Sequence, residues 1–181
     1  MHRRIRPLSV FYFGERIKIS CLKPFLNNFR LVNVLDLEGT RIIGHFPQEV
    51  TLMVHIRYLA ITCSGGSELP ESIANLWNLQ FWMVYNLEVN HLPKSFWQMK
   101  SLRQVHIHKM PLALPWSFIS TFEQLPKLEV LKLVYHGLRA KRWDVKDGTF
   151  LNLKYLKLQF SRLLKNGLYK GSHSPASNDL L

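Results

Sequence analysis

LPESIANLWNLQFWMV, running from Leu69 to Val84, holds two apolar rhythms in sixteen residues. Ile73, Leu76 and Leu79 recur every third position, which suits one inward face of a short helix or of helical turns. From Leu79 the spacing changes. Leu79, Trp82 and Val84 form an L-x-x-L-x-L hexad whose last two members alternate with outward residues, the period-two signature of a short strand. The Leu-Pro pair that opens the stretch returns at Leu92-Pro93 and Leu114-Pro115, and Phe46-Pro47 plays the same part before it. The prolines stand at 47, 70, 93 and 115, separated by 23, 23 and 22 residues. Such a period marks one structural unit used repeatedly.

Working outward, the hexad recurs as Val32/Leu35/Leu37, Ile56/Leu59/Ile61, Leu102/Val105/Ile107, Leu128/Leu131/Leu133 and Leu153/Leu156/Leu158, with a weaker copy at Ile5/Leu8/Val10. The starts at 5, 32, 56, 79, 102, 128 and 153 are 27, 24, 23, 23, 26 and 25 residues apart. A hexad of this form on a period of about 20–29 residues is the sequence mark of leucine-rich repeats. A three-residue strand cannot bury its own apolar side. Stacked parallel copies bury a shared ladder, each repeat serving as core for the next. The helical set repeats with the hexad as Val50/Met53, Ile73/Leu76 and Phe96/Met99. LPWSFISTFEQLPKL, in which Leu128 comes thirteen positions after Pro115 rather than nine, predicts a longer helix or a bulge on the outer side. The expected architecture is an α/β leucine-rich-repeat solenoid of about seven repeats, with a parallel β ladder on the concave face and short helices or turns on the convex face. Its expected limits are residues 1–164, followed by a disordered polar tail over 165–181.

The 181 residues suit one domain, and no run of about 18 apolar residues is present to cross a membrane. MHRRIRPLSVFYFGER has an apolar stretch only from Leu8 to Phe13, with Glu15, Arg16 and Lys18 close behind, and does not read as a secretory signal. Cys21 and Cys63 form neither a disulfide framework nor a zinc-ligand spacing, and read as reduced, partly buried thiols. The formal charge of +12 favours acidic partners. The basic residues are dispersed, however, and do not interleave with aromatics as a nucleic-acid module would. A solvated basic surface is therefore preferred, with binding of nucleic acid or anionic lipid kept as the alternative.

Three common catalytic patterns are absent from the sequence. It has no phosphate loop, no G-x-S-x-G elbow and no H-E-x-x-H helix. Gly65 and Gly66 read as a turn after a strand. His106 and His108 fall on one face of a strand and could begin a metal site, but no third ligand is near in sequence, so they read as two solvated histidines. Asp144 and Asp147 beside Trp143 read as a charged loop, and Trp77, Trp82 and Trp97 as core. The reading is non-enzymatic, without cofactor or metal.

The ladder's outward positions follow from the alternation: Asn33, Val34 and Asp36; Arg57, Tyr58 and Ala60; Gln80, Phe81 and Met83; Arg103, Gln104 and His106; Glu129, Val130 and Lys132; Lys154, Tyr155 and Lys157. From these, a protein-binding face is expected at Asp36, Arg57, Tyr58, Phe81, Met83, Arg103, His106, Lys132, Lys154, Tyr155 and Lys157, a mixture of aromatic and basic residues suited to an interface.

VLDLEGTRI, HIRYLAI, LPESIANLWNLQ, LPKSFWQMKSLRQVHIHKM and LPKLEVLKLVYHG resemble the leucine-rich-repeat region of plant intracellular immune receptors, and among these the solanaceous late-blight-resistance subfamily. The resemblance covers roughly Ile5 to Leu158. It implies a cytoplasmic, protein-binding module of disease resistance, active in pathogen recognition and defence signalling. The implied partner is a protein: a pathogen effector, a monitored host protein (a guardee) or a receptor nucleotide-binding domain. No specific nucleic acid is implied. The nucleotide switch of such receptors has no counterpart in this sequence, and the repeat pattern stops after Leu158, so the expectation is a truncated receptor fragment or a free-standing repeat protein.

Overall fold

The computed structural model describes residues 8–11, 17–64, 68–86, 92–110, 116–136, 150–164 and 167–169. In chain order the strands and helices are β1 (Leu8–Phe11), β2 (Ile17–Lys18), α1 (Ile19–Asn28), β3 (Val32–Ile43), β4 (Tyr58–Ser64), β5 (Phe81–Tyr85), β6 (Gln104–Met110), α2 (Trp116–Ser120), β7 (Val130–His136), β8 (Tyr155–Leu164) and β9 (Gly167–Tyr169). Strands β1, β3, β4, β5, β6, β7 and β8 pair in that order, all parallel. β2 adds to the far end of β3, and β9 turns back antiparallel on β8. This is the expected solenoid ladder.

Equivalent residues of successive repeats lie directly side by side. Leu35, Leu59, Trp82, Val105, Leu131 and Leu156 form one row, and Leu37, Ile61, Val84, Ile107, Leu133 and Leu158 the next. Both rows are fully buried from β3 to β7 and only half-buried on β8. The carbonyl of Arg57 accepts from the N–H groups of both Gln80 and Phe81. Gln80, Arg103 and Glu129 repeat this bifurcated acceptance onto the following repeat. Asn78 Nδ2 donates to the Val54 carbonyl at 2.9 Å, and Asn152 Nδ2 to that of Pro126 at 2.7 Å, so an asparagine just before the hexad ties two copies together.

The convex segments are 3-10 helices, Gln48–Leu52, Glu71–Asn75, Lys94–Gln98 and Thr121–Gln124, rather than turns of α-helix. Their bonds run in steps of three, from Val50 to Pro47, Met53 to Val50 and Ile56 to Met53, and likewise through Pro70/Ile73/Leu76/Leu79 and Pro93/Phe96/Met99/Leu102. A 3-10 helix has three residues per turn, so side chains at i and i+3 eclipse and all the apolar ones point inward. Each proline stands just before the first turn in extended conformation, and its carbonyl accepts the first bond. The long fourth connection holds α2 and the Thr121–Gln124 segment end to end. Phe118 and Phe122 there extend the aromatic cluster of Phe96 and Trp97.

Several expectations change. Val10 pairs with Leu35, not Leu37, so the first copy lies two residues out of the register assigned to it. The pairing also shifts between Leu8 and Ser9, and alternation within one strand cannot fix its register against another. Trp77, expected in the core, is 60% exposed, because Leu76 and Leu79 take the inward sites of the three-residue period and Trp77 falls between them. Trp82 is buried, and Trp97 is half-buried against Phe96 and Phe122. Gly167–Tyr169, within the segment expected as a disordered tail, pairs with Arg162–Leu164. The rest of that tail, Gly65-Gly66 and the Trp143 region lie outside the described residues.

Cys63 is free and buried, and burial pushes its thiol up to about 12, leaving it protonated and inert at neutral pH. No described helix is long and apolar enough to cross a membrane.

Candidate protein-binding face

Parallel pairing turns the outward positions of the hexads into rows running across the strands. The first row is Val34, Tyr58, Phe81, Gln104, Val130 and Tyr155. The second is Asp36, Ala60, Met83, His106, Lys132 and Lys157. A third, not foreseen, follows because the strands outrun the hexad: Thr62, Tyr85, His108, Val134 and Gln159. The alternation in FWMVY and VHIH carries that signal one step further along the chain.

Glu38 joins the third row through an irregularity in β3. Pairing with β4 jumps from Leu37↔Ile61 to Arg41↔Thr62, so Glu38, Gly39 and Thr40 bulge from the ladder. The Glu38 carbonyl accepts from the Thr62 hydroxyl at 2.5 Å, and its carboxylate accepts from the Tyr85 hydroxyl at 2.7 Å. The Asp36 carboxylate accepts from the Glu38 N–H at 3.0 Å.

Aromatic rings fill the middle of the face. Tyr58 and Phe81 stack with centroids 4.4 Å apart and planes within 8°. His106 meets Phe81 edge-on at 4.8 Å, and Tyr85 stacks on His108 at 4.4 Å. At the β8 end, Lys132 Nζ lies 5.5 Å from the centroid of the Tyr155 ring. Among the expected face residues, Arg57, Arg103, Lys154, Tyr155 and Lys157 are exposed, and Asp36, Tyr58, Phe81, Met83 and Lys132 are half-buried.

His106 departs from the expectation of a solvated histidine: it is only 7% exposed, and its Nε2 has no hydrogen-bond partner. Neighbouring strands lie only about 4.8 Å apart, so longer side chains such as Phe81 close over shorter ones between them. Ala60, also expected to face outward, is covered in the same way. Among the described residues no group of three or more His, Cys, Asp or Glu side chains is placed to hold a metal ion.

Electrostatics divide the face. Burial raises the Tyr58 hydroxyl, and Asp36 and Glu38 push it the same way. Tyr85 is raised by burial and by its bond to Glu38. Burial lowers His106 to about 4, helped by Lys132 and His108. His108 is lowered by burial, with Glu38 opposing and Lys157 and Lys132 assisting, so it stands where the two fields meet. Beside these rows Glu129 holds Arg103 at 2.9 Å and Lys154 at 3.1 Å, and both bonds keep its carboxyl below the usual range. Arg103 and Lys154 are thus tied to the scaffold, whereas Lys132 and Lys157 have no carboxylate partner among the described residues.

The sequence pattern of the leucine-rich repeat region family matches residues 6–168. Late blight resistance protein R1-A of Solanum demissum is 32% identical over 134 residues, which are 68% of this chain and 10% of that protein. The late blight resistance protein homolog R1B-14 of the same species is 32% identical over 115 residues, 61% of this chain and 8% of the relative. The chain therefore spans about a tenth of the length of these relatives. Among solved structures, the leucine-rich-repeat ectodomain of the Arabidopsis receptor kinase HAESA, in complex with a peptide hormone, superposes with a TM-score of 0.52 at 20% identity, covering 82% of this chain and 28% of that one. With hexads, ladder and sequence likeness in agreement, this chain belongs to the leucine-rich-repeat family, in the repeat region that it shares with the late blight resistance proteins of Solanum demissum.

Proposed function

We propose that the chain is a non-enzymatic, cytoplasmic protein-binding module of a plant disease-resistance protein, acting in pathogen recognition and defence signalling. Its partner is a pathogen effector, a host guardee or a receptor nucleotide-binding domain, held on the concave face. The observation that carries this reading is the half-buried ring stack of Tyr58 and Phe81 on the outward side of the ladder, with Asp36 to one side and Lys132 and Lys157, which have no carboxylate partner among the described residues, to the other. Aromatic anchors among charged neighbours are the usual energetic centres of protein interfaces. The relatives are named for late blight resistance, and the structural neighbour holds a peptide on the same kind of scaffold.

The test is pull-down against effectors and against nucleotide-switch domains of related receptors, with Tyr58→Ala and Phe81→Ala as controls. Binding that either substitution weakens by about thirtyfold or more supports the reading, since an anchor is worth about 2 kcal/mol or more. Binding that neither changes places the interface elsewhere. The basic-surface alternative receives no support from the relatives. The acidic pair Asp36 and Glu38 would repel a polyanion from this face. Affinity for nucleic acid or anionic vesicles that collapses with salt would revive it.

A further inference from the structure

Resting on the protein-binding reading, we propose that the concave face binds an extended polypeptide segment that is itself charge-polarised: cationic where it crosses β3, aromatic or apolar over β4 and β5, and acidic over β7 and β8. The face has that order reversed in sign. Asp36 and Glu38 lie at the β3 end, with the Tyr58–Phe81 stack and Met83 following. Lys132 and Lys157 then occupy adjacent rungs of one row.

Like charges directly opposite on paired strands repel. Just before these strands Glu129 sits between Arg103 and Lys154 and offsets their charges, but the Lys132–Lys157 pair has no such carboxylate among the described residues. A carboxylate brought by a partner would fill that place. The Asp36–Glu38 pair calls for a cation in the same way, with neither carboxylate in an ion pair among the described residues.

Geometry sets the length of the occupant. From β3 to β7 is four strand spacings, roughly 19 Å, which about six extended residues span. An extended segment bridges the two ends with so few residues, whereas six residues of helix would span only about 9 Å. A polyanion satisfies the lysines but meets Asp36 and Glu38.

The experiment uses the full chain and three fluorescein-labelled peptides of about ten residues with a common phenylalanine-containing centre. One carries lysines at one end and glutamates at the other, one glutamates at both ends, one lysines at both. Fluorescence anisotropy should rank the dipolar peptide about tenfold or more ahead of both others. In a chain carrying Lys132→Glu and Lys157→Glu, preference should pass to the all-lysine peptide. Lys157→Glu alone, at an exposed position, should move in the same direction, and circular dichroism verifies that each variant is folded.

Equal binding of the three peptides, a preference for the all-glutamate peptide, or no binding at all overturns the proposal. So does an oligonucleotide that binds more tightly than the dipolar peptide. None of these results touches the effector pull-down, whose own controls judge the broader reading.

Discussion

Val105 and His106 are adjacent in sequence and sit on opposite faces of β6, yet both are buried. Val105 lies between Trp82 and Leu131 in the core row. Val105→Asp would leave an unpaired carboxylate there and should cost about 3–5 kcal/mol. Gln80→Asp, at an exposed position, should stay within about 0.5 kcal/mol. Urea midpoints compare the two, and equal losses would contradict the register. His106 predicts a pH dependence. Its imidazole has an ordinary value of 6.5 and about 4 in the fold, through burial first and then Lys132 and His108. Between those values the unfolded chain holds the proton and the folded chain does not, so acid favours unfolding. Stability should be complete above about 6.5, fall as pH drops, and lose this contribution by about 4. His108 acts in the same direction. Urea midpoints taken from about pH 7 down to about pH 4 should decline, and His106→Gln should flatten that decline.

At the scale of the elements, the 3-10 segments and the asparagine ties hold the convex side in step with the ladder. Asn78 and Asn152 occupy the position before the hexad and reach two residues before the previous one. Ser101 holds the same place before Leu102, and the carbonyl one repeat back belongs to Trp77. Asn78→Ala should cost about 1–3 kcal/mol by stranding the part-buried Val54 carbonyl. Ser101→Asn should gain up to about 1 kcal/mol by supplying the missing tie. Thermal melts of the two variants measure this. A gain at 101 without a loss at 78 would show that the asparagine works through something other than the carbonyl.

For the whole molecule, a solenoid is as secure as its ends. Inner repeats have their apolar rows covered on both sides, whereas Leu153, Leu156 and Leu158 on the last one are half-buried and Leu151 is 86% exposed. Among the described residues, β9 pairs with Arg162–Leu164 of β8 and no other strand is placed on that edge. An apolar end with such an edge favours apposition of copies. The purified chain should therefore self-associate in sedimentation velocity as its concentration rises, and Leu151→Lys should move it towards monomer. A wild-type chain that stays monomeric over that range would show this end to be closed.

The hexad and the Leu-Pro period determined the fold class, the rows of the core and the face each residue takes, because these follow from local periodicity summed over copies. The three-residue step from Pro70 to Leu79 also contained the 3-10 geometry, since an α-helical stripe would mix steps of three and four. Other features lay beyond the sequence because they arise between repeats. The register of the first strand is set by its contact with β3, not by alternation. The burial of His106 and Ala60 depends on how far side chains on adjacent rungs reach. The separation of Asp36 and Glu38 from Lys132 and Lys157, dispersed charges in the linear chain, becomes a polarised face only when parallel pairing sets residues of successive repeats about 4.8 Å apart.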